Sequence, residues 1–270
     1  MSKRLLNQVV WLTGASSGIG EALAYELATK GTKLILSARR KEELERVKGN
    51  CVSASQANIR VLPLDLSEPS TLELSVEAAI QVFGHVDILI NNGGISQRSL
   101  ANETILDVDR RIMEVDYFGT IALTKFILPH FLRRKSGQIV VVSSVMGKIG
   151  TPYRSGYAAA KHALHGFFDS LRAELWKECR NIRITLICPG WIRTNITLNA
   201  LIGSGEKLNQ MDSTTKKGLS PERFARKMIC AIVKKKEEII IGGSKEVFAV
   251  NLKRFLPRVF SKIIRRANVR

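Results

Sequence analysis

The 270-residue sequence predicts an α/β domain built on a seven-stranded parallel sheet with helices on both faces. Three observations carry this prediction. Short β-branched runs alternate with helical periodicity along most of the chain. Several runs, such as 86–90 and 138–142, are almost continuously apolar, as strands covered on both faces are. The first run also opens directly into a glycine-bearing turn and then a helical pattern. In order, strands are expected over 9–13, 33–37, 59–64, 86–91, 138–143, 183–188 and 238–242. Helices are expected over 18–30, 41–52, 69–83, 103–133, 155–179 and 221–235, the last with Ser220 as N-cap and Pro221 in its first turn. The segment 198–218 has two close glycines, polar filler and weak periodicity. In such a sheet it falls beyond the carboxyl end of the sixth strand, where ligands bind. Residues 1–245 form the domain, and 246–270 a basic amphipathic helical extension of it.

With 45% hydrophobic and 24% charged residues, the composition excludes a disordered or collagen-like chain. The charge is less ordinary: 42 Lys plus Arg against 24 Asp plus Glu give +18. Such an excess points to nucleic acid, anionic lipid or phosphate-bearing ligands, and its location decides among them. Seven of the basic residues, Lys253, Arg254, Arg258, Lys262, Arg265, Arg266 and Arg270, fall within 247–270, which has no acidic residue. Cys51, Cys179, Cys188 and Cys230 show neither zinc spacing nor a disulfide framework, so buried or inert thiols are expected. Residues 1–7 leave no room for a secretory hydrophobic region before the first strand, and no eighteen-residue apolar stretch occurs. The expectation is a chain made in the cytosol that does not span a bilayer.

The first strand runs into Thr13-Gly14-Ala15-Ser16-Ser17-Gly18-Ile19-Gly20. Glycines there let the backbone approach a pyrophosphate, and the following helix amino terminus offers free N–H donors. A glycine-rich turn is often only a turn; strand before and helix after favour a dinucleotide site and a Rossmann-type, doubly wound sheet. The second strand ends in Ser37-Ala38-Arg39-Arg40. A carboxylate at that position would accept from the ribose 2′-hydroxyl of NAD, whereas a guanidinium forks onto a 2′-phosphate, so Arg39 and Arg40 point to NADP(H). The alternative is that they only open the next helix in solvent.

Tyr157 and Lys161 lie four apart, hence on one helix face. A nearby ammonium favours phenolate, which makes Tyr157 a usable general acid or base. By chance such a pair turns up in about one comparable chain in four. Ser143-Ser144, ending a buried strand thirteen residues earlier, strengthens it. A hydroxyl at that strand end can hold a substrate oxygen at the phenol.

The turn T-G-x-x-x-G-x-G, the run Asn91-Asn92-Gly93-Gly94, the set Ser144, Tyr157 and Lys161, and Pro189-Gly190-Trp191-Ile192-Arg193-Thr194 occur in that order over about 9–197. Together they resemble the short-chain dehydrogenase/reductase family. The resemblance implies adenine contact at Asp65 and Leu66, cofactor contact at Asn92 and Gly93, and a nicotinamide border at Pro189, Gly190, Ile192 and Thr194. Runs 92–100 and 34–40 look most similar to the branch named dehydrogenase/reductase member seven, near the 11β-hydroxysteroid dehydrogenases. That branch implies NADP(H)-dependent interconversion of steroid, retinoid or xenobiotic carbonyls and alcohols at the cytosolic face of the endoplasmic reticulum membrane. It also implies a homodimer or homotetramer paired through the helices at 103–133 and 155–179. The family has Ala where Gly93 stands, and usually Asn where Asp116 stands; that Asn completes a proton relay through its main-chain carbonyl. Asp116 keeps the carbonyl, but its carboxylate either adds negative charge near Lys161 or weakens the local anchoring.

Other readings compete for some residues. His162 and His165 lack a third metal ligand at matching spacing, so packed or solvated histidines are expected rather than a metal pair. The basic residues do not interleave with aromatic platforms, so no nucleic acid is expected. An NADP(H)-binding redox sensor without turnover is opposed by the intact Ser144, Tyr157 and Lys161. In the tail, Phe248, Leu252, Phe255, Leu256, Val259, Ile263 and Ile264 recur at helical spacing between basic residues, with Pro257 expected to kink the helix. That pattern suits a helix lying in a membrane interface; the alternative is an apolar face packed over the substrate mouth or another subunit, the chain then being cytoplasmic.

Overall fold

Val9–Thr13 (β1) is apolar up to Thr13 because both its faces are covered, and every one of its side chains is buried inside the sheet. The computed structural model describes residues 4–266. After β1 come α1 (Gly18–Ala28), β2 (Lys33–Ser37), α2 (Lys41–Gly49), the short α3 (Ser53–Gln56), β3 (Ile59–Val61), α4 (Pro69–Phe83) and β4 (Ile88–Asn91). Then follow α5 (Leu106–Met113), a π-helical turn (Glu114–Phe118), α6 (Gly119–Arg134), β5 (Gly137–Val142), α7 (Ser155–Glu178) and β6 (Ile182–Pro189). The chain closes with α8 (Ser213–Lys216), α9 (Pro221–Val233), β7 (Glu238–Ile241), α10 (Ser244–Phe255) and α11 (Pro257–Ile264). The seven strands form one parallel sheet in the order β3-β2-β1-β4-β5-β6-β7, the Rossmann-type doubly wound sheet the sequence predicts.

Strand order reverses between β1 and β4, so a crevice opens beyond their carboxyl ends. One face of the sheet packs under α1 and α9, through Leu23, Leu27, Phe224 and Met228; the other packs under α4, α6 and α7, through Leu72, Phe131, Phe168 and Leu175. A third, smaller cluster joins Val145, Met146, Ile149 and Tyr157 to Phe260 of the tail.

Differences from the expected elements have local causes. The third strand stops at Val61 rather than 64, although Leu62 N and Leu64 N still donate to Leu36 O and Ala38 O; Pro63, between them, has its missing N–H on the open edge of the sheet. The helix expected over 41–52 ends at Gly49, and α3 follows as a separate turn. The helix expected over 103–133 begins at Leu106 and carries the π turn within it, an insertion that keeps helical spacing in sequence while re-aiming one turn. The tail is two helices: α10 ends at Phe255, and Pro257 opens α11 instead of kinking a continuous helix. Its faces are divided, with Phe260 buried and Leu252 and Ile264 packed beside it, while Phe248, Phe255, Leu256, Val259 and Ile263 are exposed. Arg270, part of the tail charge, lies outside the described residues. Among those residues no helix is long and apolar enough to cross a membrane.

Candidate active site

A cleft of about 590 Å³ runs from the turn after β1, past the ends of β4 and β5, to α7. At its first end Gly14 (φ 64°) and Gly18 (φ 58°) adopt left-handed backbone. Ser17 starts α1 without a side-chain cap, so the first N–H groups of the helix remain for an anion. Ser16, Ser17 and Ile19 line the cleft beside them; this donor set fits a dinucleotide pyrophosphate. Gly20 departs from the expectation of direct contact. It is buried outside the cleft lining, and a side chain there would strike the Gly14 carbonyl, so its part is to let the turn close on itself.

Thr13 and Asn92 stitch the ends of β1 and β4 together. Thr13 Oγ1 accepts from Asn92 N and Gly93 N, both at 3.0 Å, and Asn92 Nδ2 donates to Thr13 O at 3.0 Å and Gly14 O at 3.2 Å. At Gly93 a Cβ would lie 2.6 Å from Leu66 Cδ1, so Leu66 fills the space of the methyl that relatives with Ala carry. Asp65 caps its own turn, accepting from Ser67 N and Oγ, and lines the cleft with Leu66. Arg39 and Arg40 are exposed on the same wall, while Ser37 is turned inward and accepts from the Trp11 indole N–H at 2.9 Å. On the opposite wall stand Pro189, Gly190, Ile192 and Thr194; Thr194 lies close against Gly18 and draws the segment after β6 onto the turn.

Ser144, Tyr157 and Lys161 line the far end of this cleft. Ser144 follows β5, and its Oγ accepts from Met146 N at 3.1 Å. The neighbouring Ser143 hydroxyl is engaged underneath, donating to Lys161 O at 3.2 Å and lying 3.1 Å from His165 Nε2, which leaves Ser144 as the hydroxyl for a substrate. Lys161 Nζ donates to Val142 O at 3.3 Å, sits 5.6 Å from the Tyr157 ring centroid, and lies 3.2 Å from Asp116 Oδ2. Asp116 occupies the π turn, is completely buried, and its Oδ1 accepts from Ile95 N at 2.7 Å. It is not part of the cleft wall. Of the two alternatives the sequence leaves open, the carboxylate therefore adds negative charge beside Lys161. Burial pushes the Asp116 carboxyl above its usual range, against the pull of Lys161 and the Ile95 amide. The same burial works against the Lys161 ammonium, but Asp116 and then Tyr157 outweigh it and hold Lys161 above the ordinary lysine range.

Four residues of this region are given no role by the sequence, although two of them, Gln97 and Arg98, lie in the run 92–100. Gln97 is completely buried, and its Oε1 accepts from Gly156 N at 2.9 Å and Tyr157 N at 3.3 Å, capping α7 where the tyrosine leaves it. Arg98, Arg154 and Asp212 come from three different loops and meet at the substrate end. Only the tertiary fold brings them together. His162 Nδ1 lies 2.8 Å from Ala158 O, and His165 packs among Ser143, Cys188 and Glu238; among the described residues no group of three metal-ligating side chains surrounds either. Burial raises the Cys51 thiol to about 11 and the Cys188 thiol to about 12, leaving both unreactive.

The short chain dehydrogenase family pattern matches residues 8–201. A dehydrogenase/reductase SDR family protein 7-like from Anopheles gambiae is 44% identical, covering 98% of this chain and 84% of the relative. Dehydrogenase/reductase SDR family member 7 from Homo sapiens is also 44% identical, covering 94% and 75%. Among solved structures, a short chain dehydrogenase/reductase from Burkholderia phymatum in complex with NAD superposes with a TM-score of 0.83 at 22% identity, covering 95% of this chain and 96% of that one. An alcohol dehydrogenase from Thermococcus sibiricus complexed with 5-hydroxy-NADP superposes with a TM-score of 0.74 at 25% identity, covering 88% and 97%.

Proposed function

The chain belongs to the short-chain dehydrogenase/reductase family, in its member-seven branch, and on that footing we propose that it interconverts a carbonyl and an alcohol on lipophilic substrates, using NADP(H). Membership supports oxidoreductase chemistry on a nicotinamide dinucleotide; the phosphate-bearing cofactor, the substrate class and the residue roles are our reading. One observation carries it: Ser144, Tyr157 and Lys161 open onto the same cleft as the uncapped amino terminus of α1. When bound, the nicotinamide supplies or takes up the hydride. Ser144 Oγ holds the substrate oxygen, Tyr157 delivers a proton to it during reduction, and Lys161 restores that proton. Oxidation runs each step backwards. Arg39 and Arg40, exposed and without a carboxylate partner among the described residues, hold the 2′-phosphate.

Tyr157→Phe is expected to lower turnover by about 10²–10⁴-fold while NADPH still binds, as followed by quenching of protein fluorescence. A variant that keeps most of its turnover would remove Tyr157 from the mechanism. An NADPH-consumption screen across steroids, retinal, quinones and acyl-chain ketones, repeated with NADH, tests substrate and cofactor together. Arg39→Ala is expected to raise KM for NADPH by about tenfold and leave that for NADH unchanged.

The exposed apolar face of α10 and α11, flanked by Lys253, Arg254, Arg258 and Lys262, supports peripheral attachment to the cytosolic face of a membrane, the endoplasmic reticulum first. Exposed Phe118 and Trp176, on the π turn and α7, support pairing of subunits into a homodimer or homotetramer, which light scattering would measure.

A further inference from the structure

Arg98, Arg154 and Asp212 are separated by more than fifty residues at each step in sequence, yet they converge beside Tyr157. The Arg98 side chain is 11% exposed; its Nη2 donates to Asp212 Oδ2 at 3.1 Å and its Nη1 to Gln97 O at 3.0 Å, while its Nε–H is buried with no hydrogen-bond partner. Arg154 stacks its guanidinium 4.9 Å from the Trp191 ring centroid and lies 3.9 Å from the same Asp212 oxygen. Asp212 also accepts from Thr215 N and so pins the 198–218 segment. Both arginines line the cleft and Asp212 does not. Both open onto the cleft that Tyr157 lines, and Arg98 holds the carbonyl of Gln97, whose side chain accepts from Tyr157 N, which assigns them to the reacting end.

The charge around them is one-sided. Lys207, paired with Leu201 next to Gln97, lines the cleft near them, whereas the acidic residue on its wall, Asp65, stands beside Leu66 at the adenosine end. Withdrawing guanidiniums from water is costly, and burial lowers the proton affinity of both arginines, that of Arg154 to about 9. Asp212, one carboxylate between two guanidiniums, offsets only part of that cost, and a wholly apolar substrate adds nothing to it. Between the cations the wall is apolar, with Val145, Met146, Trp191 and Leu201. Planar guanidinium forks suit a planar carboxylate.

We propose that this end of the cleft selects a carbonyl compound that is lipophilic in its body and carries a carboxylate, which docks on Arg98 with Arg154 behind it while the carbonyl meets Ser144 and Tyr157. The carbonyl half of this statement rests on the oxidoreductase reading; the anion half rests on the arginines alone.

The test separates the two halves. Binding of octanoate and of octanol to the full chain, with and without NADP+, is measured by titration calorimetry. Octanoate is expected to bind about tenfold more tightly. Arg98→Gln should abolish that preference without changing octanol binding, and Arg98→Lys, which keeps the charge but not the fork, should keep part of it. Neutralising Lys253, Arg254 and Arg258 together should leave the preference intact. Equal affinities, undetectable binding of both ligands, or a preference that survives Arg98→Gln or vanishes with the tail charges would overturn the proposal. In parallel, a straight-chain oxo-acid and its methyl ester are compared as substrates with NADPH. Failure of both to be reduced would count against the oxidoreductase reading, whatever the calorimetry gives.

Discussion

Asp116 changes the electrostatics of a lysine that the rest of the site depends on. Both members of the pair are buried, 3.2 Å apart, and Lys161 is held above its ordinary range. A basic group raised in the folded state stabilises the fold below its ordinary value and loses that contribution as pH rises through the raised one, so the lysine's share is lost at alkaline pH, while the buried Asp116 gives up its charge on the acid side sooner than an ordinary aspartate. Asp116→Asn removes the charge that holds Lys161 up. The alkaline limit of kcat/KM is therefore expected to move down in a pH–rate profile. An unmoved limit would show that the carboxylate is not what keeps Lys161 charged. The identity of Asp116 is plain in the sequence, but its consequence is not, because an acceptor-only side chain attracts or disrupts according to where its neighbours stand. Arg98, Arg154 and Asp212 are harder still to read: each is an ordinary charged residue in its own loop, and no local spacing marks their meeting.

At the level of elements, the strands and most helices are legible because burial on both faces writes itself as apolar runs and because Pro69 and Pro221 mark first turns. The π turn is not legible. Its extra residue leaves the hydrophobic periodicity of 103–133 almost intact, and the contact it carries, Asp116 with Ile95, is with a partner on another segment. The Gln97 cap on α7 is similarly non-local. Gln97→Met leaves Gly156 N and Tyr157 N without that acceptor, and should cost about 1–3 kcal/mol in urea unfolding and lower kcat by loosening Tyr157. Stability and kcat both unchanged would show that another group caps the helix. In the turn after β1, Gly20→Ala drives a methyl into the Gly14 carbonyl; a loss of about 1–3 kcal/mol and weakened NADPH binding are expected together.

Over the whole molecule, the net charge of +18 resolves into separate groups: arginines at the adenosine end, cations at the substrate end, and the tail. Glu238 belongs to another such arrangement. The His165 imidazole, 3.5 Å away, and then the hydrogen bond from Lys148 overcome burial and hold the Glu238 carboxyl down at about 2. A carboxyl depressed in this way stabilises the fold above its ordinary value of 4.5 and loses that contribution as pH falls towards 2. Glu238→Gln should therefore flatten the acid loss of stability across that window, measured as Tm against pH. For the tail, Phe255→Glu with Ile263→Glu should abolish co-sedimentation with anionic vesicles at an unchanged Tm, because both side chains are exposed. Vesicle binding that persists would assign attachment to another surface. Phe260→Ala, in contrast, should cost about 3–5 kcal/mol. Phe260 shares its cluster with Tyr157 and Met146, so the same short peptide that would rest on a lipid surface is also masonry of the reaction chamber. A chain cut after Phe255 is expected to lose the packing that backs Tyr157 and Met146, so that if the tail does rest on a membrane, proteolytic release at that point would lower turnover in the same stroke.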